Sequence, residues 1–132
     1  MLSNIDTLRR GMVVRVRARA IEGSEVARGR FRLLDDPEQE EPLALILSLK
    51  ITADDPFVVA VLLGKITERL AQDEVLISPP EGGVSLPAQV NLSKYDWLNK
   101  TSIKEIIGTL SDATMERVEK ASRIASVMNK DY

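Results

Sequence analysis

The sequence holds 132 residues, 44% of them hydrophobic and 29% charged, with a formal net charge of −2. That size suits one domain with its own core, and no stretch approaches the roughly 20 apolar residues of a membrane-spanning helix. Cysteine and histidine are both absent, which excludes thiol nucleophiles, Ser-His-Asp triads and Cys/His zinc sites.

The lack of cysteine, and of an apolar h-region in MLSNIDTLRRG, leads to the expectation of a cytoplasmic protein. Carboxylate pairs such as Asp35–Asp36 and Asp54–Asp55 each precede a proline and read as turns rather than metal ligands. Charge is unevenly spread. Residues 1–32 carry eight arginines against Asp6, Glu22 and Glu25, whereas the remainder carries ten bases against seventeen acids. The basic part is suited either to a polyanion or to a solvated strand face.

In chain order, GMVVRVRARA alternates Val14, Val16, Ala18 and Ala20 with Arg15, Arg17 and Arg19. Period two predicts a half-buried strand with three guanidinium groups on one face, about 6–7 Å apart. They line a nucleic-acid groove or pair with the acids of residues 35–41. The segment IEGSEVARGRFRLLDDPEQEE has no sustained period and reads as a long loop with a short strand or arm near Arg30–Leu34. Its acidic DDPEQEE part is also a candidate lid over a basic groove.

LALILSL and PFVVAVLLG are apolar runs of strand length, expected to be buried on both faces. KITERLAQDE is left open as a strand end with a helical turn. EVLISP reads as a short strand, PPEGG as a sharp turn, PAQVNL as a strand, SKYDWLNK as an irregular crossing segment, and SIKEIIGTL as a strand or a partly helical approach to one. Tyr95 and Trp97 are base-stacking candidates or core and interface anchors. The last element is a helix: Ser111 caps it, Asp112 complements its dipole, and Met115, Val118, Ala121, Ile124, Ala125 and Met128 recur at helical spacing. The expected whole is a strand-rich α+β domain over residues 1–132, closed by one amphipathic helix.

Arg10-Gly11 before the first strand, GSE at 23–25, LALILS at 43–48 and above all VNLSKYDWLNKTSIKEIIGTLSDATMERVEKA at 90–121 resemble the MazF/PemK family of toxins. These pieces cover about half the chain. The resemblance implies an SH3-like, CcdB/Kid-type β-barrel with a C-terminal amphipathic helix, a homodimer and a cognate antitoxin. It implies a metal-independent, cofactor-free endoribonuclease that cuts single-stranded RNA to leave 2′,3′-cyclic phosphate and 5′-hydroxyl ends. Such chemistry needs no histidine, because the RNA's own 2′-OH attacks. The protein supplies charge stabilisation and proton transfer.

The resemblance also expects an Arg-Pro pair at the second strand, but LALILS places Pro42 and Leu43 there. Either Arg28 or Arg30 supplies the missing cation, or the protein binds without cutting. Thr67 matches the family's threonine with two residues inserted, as a phosphate or proton-handling partner. Lys65 and Arg69 add charge beside it, and Arg15, Arg17 and Arg19 complete the candidate RNA contacts. The ordinary reading of Thr67, as a plain strand residue, carries the greater weight, and Met12 stands where many relatives have Asp. A gyrase poison of the related CcdB type is a third reading by fold analogy, although the terminus MNKDY lacks that type's Trp-Gly-Ile ending.

Overall fold

The computed structural model describes residues 7–17 and 42–129. The strands are β1 Met12–Val16, β2 Leu43–Ile46, β3 Phe57–Gly64, β4 Glu74–Ile77, β5 Ala88–Asn91, β6 Asp96–Asn99 and β7 Ile103–Thr109, followed by helix α1 over Asp112–Asn129. All ladders are antiparallel, in the order β4-β5-β3-β2-β1-β7, with β6 also pairing β3. The eight-residue β3 is long enough to serve two neighbours on one edge. Its first half pairs β6, with Val59 opposite Trp97, and its last residues pair β5, with Leu63 opposite Val90.

The apolar runs are buried on both faces over their middles, while Leu49 beyond β2 and Phe57 at the start of β3 are exposed. Successive residues of β1, β2 and β3 enter different cores: Val14, Ala44, Ile46 and Ala60 join one cluster, and Val13, Leu45 and Val61 the other. The first cluster also takes Leu98 of β6 and Ile103 of β7, whereas the second gathers Val75, Val90 and the helix residues Val118, Ala121 and Ala125. The alternation expected for β1 holds only in part. Val13, on the arginine side of the strand, is fully buried, because α1 and the turn after β4 cover that end.

β6 and β7 lie at far edges of the β6-β3-β2-β1-β7 ladder, yet only the 3-10 turn Lys100–Ser102 separates them. Laid flat, those edges would stand about 19 Å apart, whereas such a turn advances only about 8 Å. The sheet is therefore strongly curled. The turn ties the two sides: Lys100 N–H donates to Pro56 O at 2.9 Å, and Arg17 N–H donates to Ser102 O at 2.9 Å. No strand ladder joins β6 to β7 among the described residues, so the sheet is an open, curled one.

One reading of the sequence is corrected here: SKYDWLNK is a 3-10 turn, Leu92–Lys94, followed by the regular strand β6. The open reading of KITERLAQDE resolves to a connection without a helix over residues 65–73. The Asp54–Asp55 turn is confirmed, with the Asp55 carboxylate accepting from Phe57 N–H at 3.0 Å.

The turn after β4 locks the sheet to the helix. Gly82 and Gly83 have φ of +64° and +78°, values at which a side chain is strained. A Cβ on Gly83 would also lie 2.5 Å from Ile107 O, and one on Gly108 2.6 Å from Gly82 C. Backbone thus packs directly on the backbone of β7. One residue earlier, the Glu81 carboxylate accepts from Ser111 N–H at 2.9 Å, Ser111 Oγ at 3.0 Å and Thr114 Oγ1 at 2.9 Å. Ser111 Oγ in turn accepts from Thr114 N–H at 3.2 Å, as an N-cap should. Burial opposes ionisation of Glu81, but the hydrogen bonds from Thr114 and Ser111 and the charge of Arg117 outweigh it and hold its carboxyl below the ordinary range.

Gly83→Ala is expected to cost about 1–3 kcal/mol in urea denaturation, whereas Gly64→Ala, whose Cβ would sit 3.7 Å from Gln89 O, should change stability far less. Unfolding raises the Glu81 pKa, so its stabilisation is present above the unfolded value and lost as pH falls through the lower folded one. A pH series of denaturation midpoints should show that acid-side loss in the wild type and a smaller loss in Glu81→Gln.

Candidate functional site

The ladders bring the ends of several elements to one place. Arg15 near the end of β1 is opposite Leu43, the first residue of β2, and Ala44 beside it is opposite Leu62 near the end of β3. Gly64, last in β3, is opposite Gln89 of β5. About 10 Å of sheet separates β1 from β3. Lys65, Thr67 and Arg69 follow directly from β3 and are exposed. Arg17 and Pro42, the described residues flanking positions 18–41, also belong to this end: Val16 N–H donates to Pro42 O at 2.8 Å.

Arg15 does not stand free at this end. Its Nε meets Glu105 Oε1 at 2.7 Å across the β1–β7 ladder, with both side chains partly exposed. Glu105 of β7 thus supplies a carboxylate partner for Arg15. Such a pair is worth about 0–1 kcal/mol, so it orients Arg15 more than it stabilises the fold. Arg17 is exposed. Arg19, Arg28, Arg30 and the acidic segment 35–41 lie outside the described residues.

Thr67 sits in the connection after β3, not within the strand. Its N–H donates to Gln89 Oε1 at 2.9 Å, and its hydroxyl donates to Arg69 O at 2.8 Å and lies 3.3 Å from Gln89 Oε1. Gln89 is buried and donates through Nε2 to Glu74 Oε2 at 2.6 Å, while Glu74 Oε1 accepts from Ala71 N–H at 2.9 Å. A buried amide is expensive unless both ends are satisfied, and this chain satisfies them by pinning residues 67–71 to β4 and β5. Gln89 and Glu74 were not singled out in the sequence. The available signal was a polar residue at the centre of the strand AQVN. Lys65 and Arg69 have no ion-pair partner among the described residues.

Strand alternation separates the two parts of the site. Arg15 shares its side of the sheet with Leu43 and Val13, whereas Gln89 points to the side opposite Val90. Arg15 and Thr67 therefore reach the same sheet end from different faces. Tyr95 and Trp97 do not join them. They are exposed on and beside β6, and Trp97, 56% exposed, is not a core anchor. Among the described residues no group of three acidic side chains is placed to hold a metal, and no helix is long and apolar enough to cross a membrane.

Residues 9–125 match the family of PemK-like, MazF-like toxins of type II toxin–antitoxin systems. The chain belongs to this family. No curated protein matches it in sequence. Among solved structures it is similar to an endoribonuclease in complex with its cognate antitoxin from a mycobacterial species, with a TM-score of 0.65 and 23% identity over 92% of this chain and 97% of that one. A second mycobacterial endoribonuclease aligns with a TM-score of 0.63 and 22% identity over 91% of each chain. The Mycobacterium tuberculosis toxin MazF-mt6 aligns with 0.64 and 14% over 88% of this chain and 96% of that one. At such identities the likeness is one of fold. This MazF-like chain keeps the antiparallel seven-stranded sheet and C-terminal helix while carrying its own side chains at the sheet end.

Gln89→Ala removes the acceptor of the Thr67 N–H and the donor to Glu74. Hydrogen exchange should show lost protection at Thr67 with β3 amides retained, and stability should fall by about 1–2 kcal/mol.

Proposed function

We propose that the protein is a metal-independent endoribonuclease toxin of a type II toxin–antitoxin system that cleaves single-stranded RNA. The supporting observation is that a chain of this family gathers Arg15, Lys65, Thr67, Arg69 and both attachments of segment 18–41 at one end of its sheet. In this reaction the RNA 2′-oxygen attacks the adjacent phosphorus, losing its proton, while the P–O5′ bond breaks and the departing oxygen gains one. Arg28 or Arg30 supplies positive charge to the phosphorane-like transition state, and Thr67 contacts a phosphate oxygen or handles a proton. Arg15, Arg17, Arg19, Lys65 and Arg69 hold the flanking phosphates. The products carry 2′,3′-cyclic phosphate and 5′-hydroxyl ends.

The same reading makes the protein one cytoplasmic MazF/PemK-like domain over residues 1–132, a homodimer restrained by a cognate antitoxin. A mycobacterial structural relative is itself an endoribonuclease bound to its antitoxin. It also makes the curled sheet an SH3-like, CcdB/Kid-type barrel. The turn Lys100–Ser102, bonded to both Pro56 and Arg17, supports that closure.

One observation favours a second reading, a protein of this family that binds RNA or a protein partner without cutting. Arg15 and Thr67 are both engaged internally, and Pro42 and Leu43 stand where Arg-Pro is expected.

The deciding experiment is incubation of the full chain with mixed-sequence single-stranded RNA in EDTA, with the ends mapped. Ribonuclease activity predicts cuts bearing cyclic-phosphate ends, reduced roughly 10²–10³-fold by whichever of Arg28→Ala, Arg30→Ala or Thr67→Ala removes a transition-state contact. Folded protein that cuts no RNA would transfer the case to the non-catalytic reading.

A further inference from the structure

We propose that Tyr95, Trp97 and Phe57 form a stacking platform for bases of single-stranded RNA, separate from the end of the sheet that holds Thr67. Trp97 is opposite Val59, and Phe57 is opposite Asn99. Alternation therefore puts Trp97, Val59 and Phe57 on one face, that of Val61 and the second core. Helix α1 packs on this face over β4 and the turn Leu92–Lys94. It leaves β6 and the start of β3 open, where Trp97, Tyr95 and Phe57 are 56%, 48% and 40% exposed. Large apolar side chains grouped in the open mark a binding surface.

The rings are evenly set. Tyr95 has extended backbone, with φ −70° and ψ 154°, so it falls on the same side as Trp97 and about 6–7 Å from it. Phe57 is the diagonal neighbour of Trp97 across the ladder, about 7–8 Å away. Each ring can thus take one base of a strand whose bases are splayed apart. Lys94 and Lys100 flank β6 at its two ends. Neither has a carboxylate partner among the described residues, and the Lys100 ammonium donates to Thr52 O. The nearby acids are turned to the main chain: Asp96 accepts from Trp97 N–H at 2.8 Å, and Asp55 from Phe57 N–H at 3.0 Å.

Other occupants fit less well. An added peptide strand needs the outer edge of β6. Val59 directs both main-chain groups toward β2, its O accepting from Leu47 N–H at 2.8 Å and its N–H donating to Ser48 Oγ at 2.7 Å. Trp97 opposite it therefore directs its own outward, where the Asp96 carboxylate already takes the N–H. That edge is blunted at its centre. A second copy laid on the row about a two-fold axis brings lysine against lysine, whichever way the axis runs. Bases suit the rings, and phosphates suit the lysines. RNA as the ligand rests on the function proposed above, but the platform lies roughly 17 Å from the Thr67 end along β3 and touches none of the reacting atoms. It holds nucleotides beyond the cleaved step and adds affinity for longer RNA.

Trp97 is the chain's single tryptophan, so its fluorescence reports on the platform directly. The test titrates the full chain with a 2′-O-methyl adenosine decamer, which has no free 2′-OH and cannot be cut, and with an abasic decamer of the same backbone. The adenosine decamer should quench Trp97 and bind at least about tenfold more tightly than the abasic one. By anisotropy, Trp97→Ala should weaken binding about tenfold and Trp97→Phe should restore most of it. Lys94→Glu should weaken it about threefold or more, while Arg123→Ala on helix α1 leaves it unchanged. No binding overturns the proposal, as does binding that leaves Trp97 unquenched and is indifferent to Trp97→Ala, or that the abasic decamer matches. Sedimentation adds a further overturning outcome: a wild-type dimer dissociated by Trp97→Ala means that a second copy covers the row. Cleavage of unmodified RNA in EDTA is measured in parallel. Quenching without cutting keeps the platform and rejects the nuclease, whereas cutting without quenching rejects the platform alone.

Discussion

Backbone contact between Gly82–Gly83 and Gly108 is the constraint on which the arrangement of the described residues rests. It lets the turn after β4 lie flat on β7, which no pair of side-chain-bearing residues allows at such separations. That close approach places Glu81 under the first turn of α1, where one carboxylate receives three donors from Ser111 and Thr114. The helix is thereby capped by its own Ser111 and by a residue thirty positions earlier. With its N-terminus fixed, α1 sets Val118, Ala121 and Ala125 onto the second core. A fully buried valine adds about 1.5–3 kcal/mol by leaving water, so packing holds the helix and the polar contacts set where it starts.

The sheet depends on a second economy of length. β1, β2 and β3 feed both cores with alternate residues, so their apolar runs cannot be cut without loss on both sides. Burial on both faces along β2 and the middle of β3 also explains why the runs LALILSL and PFVVAVLLG were legible as central strands, although Leu49 and Phe57 at their ends are exposed. The terminal helix was legible for a related reason: spacing, cap and dipole residue agree, and local propensity matches the tertiary role. β6 was hidden because Leu98 is its only buried residue, while Trp97 is exposed and Asp96 and Asn99 are partly so. A four-residue strand with one core position carries no period, and it exists because the first half of β3 has an unfilled edge.

The candidate site was less legible than the fold, for a physical reason. Sequence locates a threonine or an arginine, but not the partner that occupies it. Thr67 was found, yet its engagement depends on Gln89, twenty-two positions away and buried by strand pairing. Arg15 was placed correctly on a strand face, but only the register opposite Glu105 shows its charge to be countered. Lys65 and Arg69 come from the same short connection, and no acid among the described residues meets them. The cations are thus graded along this end of the sheet, from paired Arg15 to open Lys65 and Arg69. A polyanion arriving there meets the open pair without first breaking an ion pair.

The aromatic side chains belong to a different part of the surface. Phe57, Tyr95 and Trp97, the aromatics among the described residues, are all exposed by 40% or more, and none contributes to either core. Trp97 lies opposite Val59, five residues before Gly64 on the same strand. At about 3.3 Å per residue that is roughly 17 Å from the end where Thr67 is held. A base stacked on Trp97 cannot belong to the phosphate contacted by Thr67, so the face cannot be counted as part of the same small subsite. Because β3 is a single rigid strand packed in both cores, the two ends keep this separation whenever the sheet is intact. Any account of binding at the aromatic face therefore has to supply its own contacts there.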